Sequence, residues 1–317
     1  MAQNPSVKHV DAVLTNISIM HPMQEYIWRQ VLPMVSVNKK SDKYFSYDVK
    51  ERLRLVANGG LRPPKAYTQE VDYRVTQEDY SCEEYAFGDF VEDSEQDNAD
   101  KPLDPLRDTT EDVTEEWERH QEKRCVDLVF TAANYPVAQK TQLSGTTQWS
   151  HASSDPIAAI LTGRRNCHGK KPNTLIINED VELALLTHAS IVARISGGAS
   201  PGKPAEVTLQ DIARLCRVDQ VLVGMAEYDS TEKRAATTRL PLWGKHALLA
   251  FVQPKPGIKK ISLGYTFCWK FYGKPTRVRK IRDEQRGSGG YKVIVEGCTD
   301  VELVSTDVCY FFEDAVA

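Results

Sequence analysis

Two short constellations in this chain carry side chains capable of chemistry. Cys167-His168 sets a nucleophile beside a base, and Glu116, His120 and Arg124 recur every four residues, on one face of a helix if that segment is helical. Neither makes a site unaided. Adjacent residues point apart, so Cys167 and His168 would need a pocket built by the fold, and an ordinary loop Cys and His is the better reading. Glu116 and His120 do not complete a metal site, so a surface ion-pair ladder is expected. Trp149, Trp243 and Trp269 are well separated, and the last two have apolar company, which favours core packing over sugar stacking. No P-loop, GxGxxG, GxSxG, HExxH or EF-hand spacing occurs. The seven cysteines (82, 125, 167, 216, 268, 298 and 309) are odd in number, scattered and without CxxC, and so suit reduced thiols better than disulfides or zinc. The expectation is no enzyme: no catalytic residue, no metal and no cofactor.

The elements that would have to position such groups are unusual between Lys43 and Thr131. Residues 43 to 55 alternate, with Phe45, Tyr47, Val49, Leu53 and Leu55 on one parity and Ser46, Asp48, Lys50, Arg52 and Arg54 on the other, which reads as a strand with one apolar face. Residues 71 to 91 repeat the pattern, with a break around Ser81 to Glu84, and read as the return strand. Between them, Ala57-Asn58-Gly59-Gly60-Leu61-Arg62-Pro63-Pro64 combines turn formers with a Pro pair that cannot continue a ladder. Such a ribbon would be roughly 43 Å long and, alone, at best marginally stable. Asp104-Pro105 then reads as an N-cap with Pro at the first helical position, opening a helix over about 105 to 131, roughly 40 Å long. Its first turns carry few large apolar residues, chiefly Leu106, Val113 and Trp117, a seam too narrow for central packing in a globule. Elements too long and too thinly apolar to bury themselves point to an assembly subunit.

Composition narrows the classes further. With 317 residues, 41% of them hydrophobic, the chain can build two modest domains, and its formal charge of −4 gives no global attraction to nucleic acid or anionic membrane. Charge is nevertheless uneven: residues 92 to 124 hold 13 acids against 5 bases, whereas 270 to 292 hold eight Lys and Arg against Asp283 and Glu284. Solvated faces explain both runs, and the sharper reading is an acidic helix meeting a basic segment across subunits. No signal-peptide layout and no run approaching the ~20 apolar residues of a membrane span occurs, so a soluble, cytosol-made protein without membrane contact is expected. Asn16-Ile17-Ser18 fits a glycosylation sequon that such a chain would not use.

Elsewhere the signals are more regular. The first forty residues, with Pro5, Pro22 and Pro33 and a short helix within Met23 to Val31, read as an arm packing on neighbouring subunits. Thr174-Leu175-Ile176-Ile177 reads as a buried strand, Asn178 as the N-cap of a helix over Val181 to His188, and Thr208 with Asp211 as a capping box opening a second helix to Cys216. Strands are expected within 220–228, 245–252 and 261–269, giving a small α/β domain over about 190 to 268. Further strands follow at 276–283, 291–296 and 308–312, the first two joined by the Gly287-Ser288-Gly289-Gly290 turn.

This order of parts resembles the major capsid protein of tailed bacteriophages, the Johnson fold. Local matches are Pro172-Asn173-Thr174-Leu175-Ile176-Ile177-Asn178-Glu179-Asp180-Val181, Leu209-Gln210-Asp211-Ile212-Ala213-Arg214-Leu215 followed by Val221-Leu222-Val223-Gly224, then Leu242-Trp243-Gly244-Lys245 and the closing Val308 to Val316. The resemblance implies an α+β fold divided into an N-terminal arm (1–40), an extended loop or β-ribbon (41–100), a peripheral domain with a spine helix (101–188), an axial domain (189–270) and peripheral C-terminal strands (271–317). It implies self-assembly into hexamers and pentamers forming an icosahedral virion shell around double-stranded DNA, without sequence-specific binding, in the bacterial host cytoplasm. A separate scaffolding protein, a portal and a decoration protein are implied partners. Intersubunit contacts are expected at Phe45, Tyr47, Val49, Gly59, Gly60, Leu61, Val113 and Trp117. Some family members crosslink a Lys to an Asn between subunits; Lys65 near the ribbon tip is the obvious candidate here, without a matched Asn and acid. The competing readings are an encapsulin-like compartment enclosing cargo enzymes and a cytosolic enzyme with a site in the 190–268 domain.

Overall fold

A computed structural model of the chain describes residues 24–47, 53, 55, 57–68, 70, 75–99, 104–196, 207–229, 239–257, 260–270 and 276–317. The chain enters as a helical turn, α1 (Trp28–Val31), and a strand, β1 (Met34–Val37), separated by Pro33. β2 (Ser41–Tyr47) and β3 (Val75–Ser81) pair antiparallel from Ser41↔Ser81 to Tyr47↔Val75, forming the base of the ribbon. The return strand is not continuous, because the chain breaks at Cys82 and β4 (Glu83–Glu92) joins a different sheet. A short helix α2 (Asp93–Asn98) precedes the long helix α3 (Pro105–Val129). Asp104 caps α3 by accepting from the Arg107 N–H at 3.3 Å, and Pro105 occupies the first turn, where its missing N–H leaves nothing unpaired.

The chain continues through β5 (Lys140–Gln142), α4 (Pro156–Asn166), β6 (Thr174–Asn178), α5 (Glu179–Thr187), α6 (Ala189–Ser196), α7 (Leu209–Cys216) and β7 (Gln220–Gly224). The expected caps are present: Asn178 accepts from the Val181 N–H at 2.9 Å, and Thr208 and Asp211 form a reciprocal capping box. A small hairpin of β8 (Glu227–Asp229) and β9 (Arg239–Pro241) follows. The remaining strands are β10 (Ala247–Ala250), β11 (Gly264–Trp269), β12 (Arg277–Asp283), β13 (Gly290–Leu303) and β14 (Cys309–Glu313).

Two five-stranded sheets organise these elements. β13 is the axis of the first: β4 pairs along one edge, β12 and then β11 along the other, and β1 adds in parallel to β11. α3 lies against this sheet, with the Arg124 guanidinium over the Tyr85 ring at 3.5 Å and His120 stacked on Phe87 at 4.7 Å. The second sheet has the order β5-β14-β10-β6-β7. Its alternating side chains feed two cores. Ile176, Leu248 and Phe311 join the one under α3, and Leu175, Ile177, Leu249 and Phe312 join the one that includes residues of α4, α5, α6 and α7. With both faces covered, β6 is buried throughout and reads as an apolar run. The last residue of β7, Gly224, has no room for a side chain because Trp243 packs there: a Cβ would lie 2.1 Å from the indole.

Three expectations are corrected by this arrangement. The boundaries at 188/189 and 270/271 cut through the second sheet, since β6 and β14 share it with β7 and β10. The ribbon boundary at 100 also runs too far, because β4 pairs with β13 over ten positions. Finally, residues 24–37 are anchored on their own chain, where a free arm was expected. Trp28 packs edge-on against Trp117 at 6.2 Å between ring centroids, and β1 pairs with β11 in the same chain; residues 1–23 lie outside the described residues.

Candidate assembly surface

The ribbon is fastened at its root. Ser81 N–H donates to the Asp300 carboxylate at 2.7 Å, Cys82 N–H donates to the Lys40 carbonyl at 2.9 Å, and Tyr44 and Tyr80 pack on Phe267 at centroid distances of 5.3 and 4.7 Å. Side chains directly opposite in an antiparallel pair share a face, so the face that packs inward carries Tyr44, Tyr80 and their partners Glu78 and Asp42. Phe45 stands on the opposite parity and is 59% exposed. Further along, Leu55 and Leu61 are 94% and 82% exposed, and Leu53 and Tyr67 are exposed as well. Gly59 and Gly60 hold φ of 59° and 74°, a left-handed turn in this segment that side-chain-bearing residues adopt at a cost.

Beside the ribbon root lies an apolar groove of about 480 Å³. Met34, Val35, Phe45, Ile261, Tyr265 and Phe267 contribute to its lining, and Lys260 stands among them. Carboxylates gather nearby: burial, with repulsion from Asp300 and Glu78, pushes Glu302 up to about 7, and the Tyr44 hydroxyl donates to Glu78 at 2.8 Å. The groove and the outward ribbon face together form an apolar surface that the described residues of one chain do not cover.

The expected contact residues separate into three groups. Phe45 lines the groove, while Gly59, Gly60 and Leu61 are exposed beyond it. The Tyr47 backbone pairs with Val75, but its side chain and the whole of Val49 lie outside the described residues. Val113 and Trp117 are corrected: both are buried in the subunit's own core, Trp117 completely, so their side chains are not free to meet a neighbour.

The reason is that α3 packs centrally after all. Its buried face runs through Thr110, Val113, Trp117, Gln121, Cys125 and Val129 and includes Glu115 and Glu122. These acids are tolerated because donors reach them. Tyr26 donates to Glu115, and Glu122 accepts from the Trp28 N–H at 2.8 Å and from Trp243 Nε1 at 2.6 Å. The expected meeting of acidic helix and basic segment across subunits is corrected in part by intrachain pairs. Arg282 binds Asp93 at 2.6 Å, Arg277 and Arg279 flank Glu296, and α3 pairs internally through Arg107–Glu111 and Arg119–Glu116.

The constellations with chemical potential resolve as structure. Cys167 is buried, its thiol donates to the Gly163 carbonyl at 3.3 Å, and burial pushes it up to about 12, so it holds its proton at neutral pH. His168 is fixed through its backbone N–H to the Asp307 carbonyl at 2.9 Å. His120 sits 3.1 Å from Glu116, as a ladder requires, whereas Arg124 turns to Tyr85 and Thr299. Among the described residues no group of three or more His, Cys, Asp or Glu could hold a metal ion. Trp149 and Trp243 are core residues, and the half-buried Trp269 donates to the Asn38 carbonyl at 3.2 Å. Asn16 lies outside the described residues.

No family model matches the chain. It is 28% identical over 311 residues to the major capsid protein of Pseudomonas phage JBD67, covering 97% of each chain. It is 26% identical over 301 residues to that of Burkholderia phage BcepMu, covering 89% of this chain and 90% of the other. The chain is a homologue of phage major capsid proteins. Solved structures agree on the fold. A phage-related protein from Bordetella bronchiseptica superposes with a TM-score of 0.74 at 20% identity, covering 98% of this chain and 99% of that one. The capsid of cyanophage P-SCSP1u matches with a TM-score of 0.61 at 8% identity, covering 99% and 92%. The chain thus has the phage major-capsid fold, an α+β architecture, and its class is that of a structural shell subunit of a phage head. The ribbon root, groove and buried α3 described above are parts of that capsid-type subunit.

Proposed function

We propose that the chain is the repeating unit of an icosahedral phage head, packing as hexamers and pentamers around double-stranded DNA that it holds without reading sequence. One observation carries this reading. The ribbon satisfies one face on Phe267 and leaves Phe45 outward beside an apolar groove of about 480 Å³, with Leu55 and Leu61 also uncovered. A lattice of identical copies covers such a surface, and burying apolar area at roughly 25 cal/mol per Å² rewards it. The formal charge of −4 keeps the wall from gripping DNA strongly.

The subunit is made in the bacterial cytoplasm, assembles with a separate scaffolding protein around a portal, and ends in the virion. Decoration proteins belong to the same proposal. Electron microscopy of the chain produced alone and with its scaffolding partner tests it: closed shells are the expected result. A chain that stays a well-behaved monomer with that partner present would overturn it.

A further inference from the structure

The second sheet carries opposite charge at its two ends. α4 and α7 both finish at the N-terminal end of the parallel pair β6 and β7, and there Arg164, Arg165, Lys171 and Arg217 line an open cavity of about 470 Å³ together with Leu161. No carboxylate lines it. Lys171 Nζ donates to the Cys167 carbonyl at 2.9 Å, and Arg164 donates to the Pro172 carbonyl. Those neutral acceptors orient the cations without cancelling their charge. Arg165 and Arg217 have no ion-pair partner among the described residues. The backbone of Arg217 is set at φ 58° as the C-cap of α7, which fixes where its side chain starts. Four cations around one concavity give it a positive potential that attracts an anionic group.

At the other end of β6, the first turn of α5 carries Glu179, Asp180 and Glu182. Glu179 and Asp180 are exposed, and among the described residues none of the three has a Lys or Arg partner. Their interaction with the helix dipole explains a preference for acids there, but leaves their outward charge unanswered. Burial first, and then the neighbouring Glu179, raise the Glu182 carboxyl. The poles stand about 17 Å apart along the five residues of β6, too far to meet within one chain. Head-to-tail association requires two different, complementary patches on one chain, and these two qualify.

We propose that the cavity of Arg164, Arg165, Lys171 and Arg217 receives the acidic turn of Glu179, Asp180 and Glu182 from a second copy, an electrostatic clasp between neighbouring subunits. This rests on the shell reading. Arg suits the role, since its planar guanidinium meets a carboxylate through two parallel hydrogen bonds. The contact sets register between copies and weakens as salt screens it.

Charge exchange tests the clasp. Arg165→Glu with Arg217→Glu, and separately Glu179→Lys with Asp180→Lys, should each lower the yield of sedimenting shells roughly tenfold at low salt. All four changes in one chain should restore most of the yield, and melting curves of the unassembled subunit report whether each variant is folded. Arg165→Gln with Arg217→Gln replaces the reversal if that variant is unfolded. Wild-type yield from either double variant, or no recovery in the fourfold exchange, overturns the clasp. Normal assembly with lost binding of a short DNA duplex reassigns the cavity to nucleic-acid phosphate and also overturns it. A wild-type chain that forms no shells under any condition overturns the shell reading itself.

Discussion

Trp243 donates its indole N–H to Glu122 at 2.6 Å across 121 residues of sequence. The same carboxylate accepts the backbone N–H groups of Trp28 at 2.8 Å and Ile27 at 3.3 Å. One buried side chain on α3 therefore ties the entry turn to the loop before β10, and so joins the surroundings of both sheets. Burial pushes Glu122 up to about 7, with the three donors pulling the other way.

The sign of this shift makes the subunit pH-sensitive. A carboxyl that titrates at about 7 when folded, against 4.5 as the ordinary value, binds more protons in the native state between those limits. Its contribution is fully present below 4.5, is lost as pH rises to about 7, and is then constant; the loss is on the order of 3 kcal/mol. Glu302 acts in the same direction. Thermal melts at pH 5 and 7.5 should show the wild type less stable at the higher pH, and Glu122→Gln should remove part of that difference. An identical pH dependence in the variant would contradict the assignment.

Trp28→Ala removes the edge-on contact with Trp117 at 6.2 Å and the indole hydrogen bond to Glu118 at 2.8 Å. A loss of about 3–5 kcal/mol is expected by denaturant unfolding. If residues 24–32 were an arm serving only neighbouring copies, the unassembled subunit would lose almost nothing.

Gly224→Ala forces a Cβ to within 2.1 Å of the Trp243 ring. The indole cannot retreat without disturbing its bond to Glu122 or its contact with Phe130 at 4.9 Å. A cost of about 1–3 kcal/mol or more should appear in the unfolding midpoint.

The ribbon should behave oppositely. Phe45→Ser and Leu61→Ser alter exposed positions, so the unassembled subunit should change by no more than about 0.5 kcal/mol. Shell yield should fall, and removal of residues 59–65 should act in the same way while the rest of the subunit stays folded. Normal shells from all three variants, by microscopy and sedimentation, would remove the ribbon from the assembly surface.

Local signals were legible because their causes are local. Asp104-Pro105, Asn178 and the Thr208/Asp211 pair cap helices through hydrogen bonds within a few residues, and the apolar run of β6 records its own burial. The break near Ser81 was visible too, yet not its meaning, since β4 finds its partner in β13 some two hundred residues later. Likewise β13 was expected only to Glu296. Its continuation through Gly297 to Leu303, where the partner changes from β12 to β11, was not read, because Gly297 interrupts the apolar pattern between Val295 and the alternating Val301 and Leu303.

By itself, then, the sequence determined the elements, their caps and the presence of an apolar surface too extended for one chain to bury. Tertiary structure alone decided which surface that is. α3 was judged too polar for a core, but Trp28, Trp243 and Tyr26 bring it donors from distant segments, so Val113 and Trp117 turn inward. Phe45 stays outside because Tyr44, one residue earlier and on the other parity, claims Phe267. A period of two or of 3.6 states that an element has an apolar face; which face is covered depends on contacts between residues far apart in the chain, which no local pattern encodes.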